Sequence, residues 1–231
     1  MGSALQYLSA MKAAWVAGAS GLVGSQLLSL LLSDPEFGTV VSLGRRPLDG
    51  VGPKLVQRTV DFGALDTQGL PSPDVAFCAL GTTIGKAGSR QAFRAVDHDA
   101  VLAFAQAALA AGARCFVLVS SLGADPRSNI FYNRVKGETE SDLRALGFTS
   151  LAIAQPSLLL GDRAQSRPME RALVVASRFL RGVLEPFASR PIEVEVLARA
   201  LLEIAHQPPT GPQTYPSGEL QSLGGGSAPG N

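Results

Sequence analysis

At 231 residues, nearly half of them hydrophobic (46%), the chain is long enough for one large α/β domain whose core needs neither disulfides nor metals. Its formal net charge of +1, with no strong charge run at either end, argues against a nucleic-acid-binding surface. No metal-ligand cluster is apparent, no apolar run reaches the roughly 18 residues of a membrane span, and Cys78 and Cys115 sit in apolar runs as expected of buried, reduced thiols.

Residues 1–11 are expected to form a poorly ordered leader. Met1 to Ala10 carries no positive charge, so the basic head of a secretory signal is missing and a cytoplasmic location is the default. The chain then opens on an apolar run, Ala13 to Ala17, a turn with glycines at positions 18, 21 and 24, and the apolar Leu27 to Leu32. This reads as strand, tight turn and helix. The helix N-terminus, with unpaired N–H groups and a positive dipole end, is a seat for phosphate. Gly18 closes the turn, Gly21 lets backbone approach a pyrophosphate, and Gly24 lets helix and strand pack. Ser20, Leu22 and Val23 belong to the same phosphate-binding turn. The spacing is G-x-x-G-x-x-G rather than G-x-G-x-x-G, so these roles carry over approximately.

Asp34-Pro35 stops the first helix. A second strand, Thr39 to Leu43, ends at Gly44-Arg45-Arg46-Pro47. In a dinucleotide-binding fold an acid at this place selects the ribose 2′-hydroxyl. Two arginines stand there instead and suit a 2′-phosphate through charge-assisted bonds, which favours NADP over NAD. Val56 to Asp61 reads as a third strand, with Asp61-Phe62 at its end. Asp61 is placed either to accept from the adenine amine or to cap the next turn. Asp74 to Gly81 is a fourth strand, and Leu80, Gly81, Thr82 and Thr83 would let the cofactor ribose come close.

Gln91 to Ala111 is helical by pattern, with Val101, Ala105, Ala108 and Leu109 on one face. Arg114 to Val119 is an apolar strand bounded by Ser120-Ser121. Ser128-Asn129 is suited to cap a helix from about Ile130 to Leu146, on which Tyr132 and Lys136 project from one face. Ser150 to Ala154 is a further strand, running into Gln155-Pro156-Ser157. Residues 163–190 are read as a substrate-side cover. Within them Pro168 to Leu184, with Arg171, Arg178 and Arg181, is otherwise a plain amphipathic surface helix. Val194 to Ala205 is a clearer helix, Gln213 to Tyr215 a short strand, and residues 216–231 a mobile tail. Strands apolar along their length, alternating with helices, predict a Rossmann-type doubly wound parallel sheet. Helices cover both its faces, residues 12–215 form one domain, and a small C-terminal appendage lies on the substrate side.

The glycine turn, Ser120-Ser121 and Tyr132-x-x-x-Lys136 together resemble the atypical branch of the short-chain dehydrogenase/reductases. Leu80 to Gly88, Phe131 to Glu138 and Pro156 to Arg163 are similar to the group around the Tat-interacting tumour-suppressor oxidoreductase. That resemblance implies NADP on a Rossmann domain, Tyr132 as general acid/base, and Lys136 holding the ribose hydroxyls and favouring the tyrosinate. Ser121, or failing it Ser120, would bond the substrate oxygen, and Pro156 and Leu158 would complete the cofactor set. Two positions depart from the wider family. Asp97 stands where an asparagine relays protons, so it would hold the lysine charge but work against ionisation of a nearby tyrosine. Gln155 stands where relatives commonly have arginine.

The implied activity is hydride transfer between NADP and a small carbonyl or alcohol. An NADP-bound regulatory or protein-interaction module with little turnover is the alternative. Nucleotide-sugar epimerase or dehydratase chemistry ranks third, because the segment after Gly161 is short for a sugar-nucleotide domain. The partner is a small-molecule substrate or a protein, with no nucleic acid or membrane. Oligomeric state stays open.

Overall fold

The computed structural model describes residues 11–50, 52–160 and 191–225. The 163–190 cover and residues 1–10 and 226–231 lie outside them. Strands β1 (Lys12–Ala17), β2 (Phe37–Gly44), β3 (Leu55–Thr59), β4 (Val75–Cys78), β5 (Cys115–Val119), β6 (Ser150–Gln155) and a late strand, Gly211–Pro216, form one sheet. All neighbouring pairs are parallel, in the order β3-β2-β1-β4-β5-β6 with the late strand on the outer edge beside β6. The order reverses beside β1, which opens a crevice over the strand ends there.

Successive residues of a strand point to opposite faces, and the central strands are apolar on both. Ala14, Val16, Phe77 and Val117 face one layer, built from helices α1 (Leu22–Ser33) and a later helix, Val194–His206. Trp15, Ala17, Phe116 and Leu118 face the other, where Phe104, Ala108 and Leu143 come from the helical layer. Trp15 is fully buried and its Nε1 donates to Pro71 O at 2.9 Å. Cys78 and Cys115 are both free and buried, and burial pushes the Cys78 thiol up to about 12.

The region read as one helix from Gln91 to Ala111 is interrupted. Short helices α2 (Ile84–Ala87) and α3 (Arg90–Arg94) lead into a π-helical turn, Ala95–Asp99, and then α4 (Ala100–Ala110). The wider turn is pinned by His98, whose ring nitrogens meet Asp99 at 2.7 Å and Asp142 at 2.9 Å on α5 (Phe131–Ala145). Such insertions change which side chains a helix presents inward. Here the turned residue is Asp97. The start of α5 also differs from expectation: Ile130 is the N-cap and has no side-chain cap bond, while Ser128 Oγ accepts from Ile130 N at 3.1 Å.

After the late helix, which is α6 in chain order, the late strand is preceded by a two-residue pair, β7 (Leu159–Leu160) with β8 (Ile192–Glu193), and is itself β9. Within the tail read as mobile, 216–231, residues 217–225 are instead a helix, α7 (Ser217–Gly225). Leu220 is fully buried against α6, and Arg199 Nε donates to Gly224 O at 2.7 Å. Gly224 is there for contact: a Cβ on it would lie 1.8 Å from Val196 O.

The same logic holds at the first turn. A Cβ on Gly24 would lie 2.1 Å from Gly18 O, and one on Gly18 (φ +88°) 2.5 Å from Ala79 O. Both obstacles are backbone and neither yields by a rotamer change. Gly24→Ala is therefore expected to lower stability by about 3 kcal/mol. Chemical denaturation checks it, and a loss below roughly 0.5 kcal/mol, the range of an ordinary surface change, would show the contact to be slack.

Candidate cofactor and active site

The β1–α1 turn forms one wall of a cavity of about 610 Å³ beyond the carboxyl ends of the strands. Gly18, Ser20 and Gly21 line it, and Gly21 is the N-cap of α1 with no side-chain cap. The amides of Leu22, Val23 and Gly24 are thus the orphan donors of the helix N-terminus. Across the cavity, Arg45 and Arg46 follow β2; both are exposed and neither meets a carboxylate among the described residues. Asp61 and Phe62 line it after β3. Asp61 Oδ1 accepts from Gly63 N at 2.9 Å, so the capping role is the one observed. Leu80 and Gly81 line it after β4.

The cavity also has walls that sequence reasoning passed over: Ser42, Gly44 and Leu48 along β2 and its turn, and Ala95, Val96, Asp99, Ala100 and Ala103 from the helical layer. Small residues at 95, 100 and 103 were the available signal, masked because alanine is also the best helix former.

The groups expected to do chemistry lie beside this cavity, outside its walls. Lys136 is 5% exposed and its Nζ lies 2.7 Å from Asp97 Oδ1, itself 1% exposed. Asp97 Oδ2 accepts from Thr82 N at 2.8 Å, and Asp97 O accepts from Thr139 Oγ1 at 3.0 Å. Gly81 flanks the pair, with room for a Cβ only 3.5 Å from Asp97 Oδ1 and 3.8 Å from Lys136 Nζ. Burial works against the charged lysine, but the Asp97 charge, Tyr132 and the hydrogen bond to Asp97 together raise Lys136 above its ordinary value. Tyr132, one turn before it, is half-buried and packs on Phe93 with ring centroids 5.4 Å apart.

The two serines are separated by their partners. Ser120 Oγ donates to the buried Glu140 Oε1 at 2.6 Å, so its one proton is taken. Ser121 Oγ is buried and has no hydrogen-bond partner among the described residues. Thr83 caps α2, its Oγ1 accepting from Lys86 N at 3.2 Å. Pro156 O accepts from Leu122 N, and Leu158 O from Ile192 N, both at 2.9 Å. Thr82, Thr83, Pro156 and Leu158 are not among the residues that line this cavity. Gln155 Nε2 reaches both oxygens of Glu140, at 2.9 and 3.1 Å. Among the described residues no group of His, Cys, Asp and Glu is arranged to hold a metal ion, and no helix is long and apolar enough to cross a membrane.

A parallel sheet in this order, a glycine turn at an uncapped helix N-terminus and a Tyr-x-x-x-Lys helix define an NAD(P)-binding Rossmann protein of the short-chain dehydrogenase/reductase type. No family model matches the chain. It is 38% identical over 206 residues to Protein HTATIP2 of Rattus norvegicus, covering 87% of this chain and 84% of that one. It is 34% identical over 208 residues to Protein FMP52, mitochondrial, of Debaryomyces hansenii, covering 85% and 89%. The chain belongs to the HTATIP2 group of atypical short-chain dehydrogenase/reductases. Among solved structures it superposes on MoeE5 in complex with UDP-glucose and NAD (TM-score 0.68, 21% identity, 87% of this chain and 74% of that one). It also superposes on human epimerase family protein SDR39U1 with NADPH (TM-score 0.60, 20% identity, 87% and 73%). At that identity the likeness concerns the fold.

The cytoplasmic default is overturned. The fungal relatives are named mitochondrial, which points away from it. The default rested on a missing secretory head, and that observation selects no destination.

Proposed function

We propose that the protein is an NADP-dependent oxidoreductase acting on a small carbonyl or alcohol. The observation that carries this reading is the buried, unpartnered hydroxyl of Ser121 beside the Tyr132–Lys136 helix. A buried hydroxyl without a partner costs stability unless a ligand oxygen completes it. The cavity fits the cofactor: the open helix N-terminus suits a diphosphate, and the two unpaired guanidiniums suit a ribose phosphate. Solved neighbours were obtained with NAD or NADPH, which supports a nicotinamide cofactor. Bound NADP would supply the hydride donor or acceptor.

In this reading Ser121 orients the substrate oxygen, Tyr132 exchanges a proton with it, and Lys136, held by Asp97, donates to the ribose. Tyr132→Phe is expected to reduce turnover of a carbonyl with NADPH by roughly 10²–10⁴-fold with little change in NADPH affinity. Turnover that survives the substitution removes Tyr132 from its role.

One observation favours a second reading. The Lys136 charge is already compensated by Asp97 at 2.7 Å, so less of it acts on a reacting oxygen than a free ammonium would supply. A protein so built binds cofactor well and turns over slowly, as a cofactor-bound regulator does. A partner captured only in the presence of NADP, with no carbonyl reduced, selects that reading.

A further inference from the structure

Glu140 lies one helical turn beyond Lys136 on α5, and its carboxylate is 4% exposed. Two side chains donate to it and a third is ion-paired with it. Ser120 Oγ stands 2.6 Å from Oε1, Gln155 Nε2 at 2.9 and 3.1 Å from the two oxygens, and Arg144 3.5 Å from Oε2. Arg144 also donates to Thr214 Oγ1 at 2.9 Å. Ser120 and Gln155 come from the ends of β5 and β6, Arg144 from α5 itself, and Thr214 from β9. A single buried charge therefore ties the ends of β5 and β6 to the helix that carries Tyr132 and Lys136, and Arg144 extends the tie to β9 through Thr214. Gln155 adds donors without charge, and Arg144 is the cation that balances the carboxylate.

The consequence falls on the residue next to Ser120. Its flanks are fixed by Ser120 N donating to Ala154 O at 2.8 Å and Leu122 N to Pro156 O at 2.9 Å. The loop that follows is pressed on α5, where a Cβ on Gly137 would lie 2.2 Å from Asp125 C, and Asp125 N donates to Asn133 O at 3.0 Å. The side chain of Ser120 is the link between this turn and the interior of the site. With that hydroxyl committed to Glu140, Ser121 is the serine left with a proton to give.

We infer that Glu140 is a positioning residue: by accepting from Ser120 it fixes the Ser120–Ser121 turn against α5 and so sets the reach of the Ser121 hydroxyl toward substrate. The kinetic arm of this inference rests on the oxidoreductase reading above; the structural arm does not.

The test uses Glu140→Ala, Glu140→Gln, Ser120→Ala and the Ser120→Ala/Glu140→Ala pair in the full chain. Glu140→Ala is expected to lower kcat about tenfold to a hundredfold while KM for NADPH stays within about twofold. Glu140→Gln is expected to stay within about threefold, because an amide oxygen still accepts from Ser120. The double variant is expected to be no worse than the worse single one, as two ends of one bond require. Additive losses, an unchanged kcat in Glu140→Ala, or a fall in NADPH affinity matching the fall in kcat would each overturn the assignment. Should the wild-type chain turn over no carbonyl, the oxidoreductase reading fails and amide hydrogen exchange without cofactor decides this one. Exchange at Leu122 and Asp125 then rises tenfold or more in Glu140→Ala and stays near wild type in Glu140→Gln. Equal exchange in all three overturns it. If Glu140→Ala does not fold, the comparison of Ser120→Ala with Glu140→Gln reads the same bond from its other end.

Discussion

In an Arg45→Ala/Arg46→Ala variant, NADPH affinity is expected to fall about a hundredfold while NADH affinity stays nearly unchanged. Both guanidiniums line the cavity, both are exposed, and neither is spent on a carboxylate of the described chain. A charge-assisted bond contributes about 1.5–3 kcal/mol. Solvent screening puts an exposed pair at the low end of that range, about 3 kcal/mol together, or roughly a hundredfold. NADH lacks the phosphate and has nothing to lose. Asp61, an acid lining the same cavity, already uses Oδ1 on Gly63 N. Calorimetric titration of both cofactors against both proteins measures the affinities, and raising the ionic strength should shrink the wild-type preference. Parallel loss of both affinities, or of neither, would remove the phosphate from the argument.

The second large effect concerns Lys136. Replacing it with methionine leaves the Asp97 carboxylate 1% exposed with only Thr82 N to satisfy it, which is expected to cost about 3–5 kcal/mol. Adding Asp97→Asn should recover most of that loss, because an amide keeps the bond from Thr82 N and carries no charge. The effect has a pH signature. Lys136 is raised in the folded protein, so the stability it contributes is fully present below the unfolded lysine value near 10.4 and is lost as pH rises through the higher folded one. The gap between wild type and Lys136→Met should hold flat from about pH 6 to pH 9 and close only above roughly pH 10.4. Denaturation curves across that range test it. A gap that widens with pH, or no recovery in the double variant, would mean that the ion pair does not stabilise the fold.

Much of this molecule follows from local pattern. The apolar runs at Ala13–Ala17 and Cys115–Val119 are buried on both faces and become central parallel strands, because such runs have no polar side to turn to water. The glycines at 18, 21 and 24 specify the turn, since their contacts are with backbone a few residues away and with the neighbouring strand. Tyr132 and Lys136 share a helix face by their spacing alone. Composition misled at the tail. Glycine and serine after residue 216 suggested a loose end, yet Gly224 is small so that α7 can touch α6, a demand set by Val196 and Ala200, more than twenty residues earlier.

The chemistry of the site was less legible for the same reason. Ser120 and Ser121 are adjacent and identical in type, and nothing near them says which hydroxyl is free. That is decided by Glu140, twenty residues on, which takes one and leaves the other. The fate of Asp97 likewise depends on a π-helical turn and on a lysine from another helix. Strands, turns and helix faces are set by neighbours along the chain, within reach of a few bond rotations. Which buried polar group finds which partner is set by groups that only folding brings together, and there the cost of leaving one unpaired makes the choice.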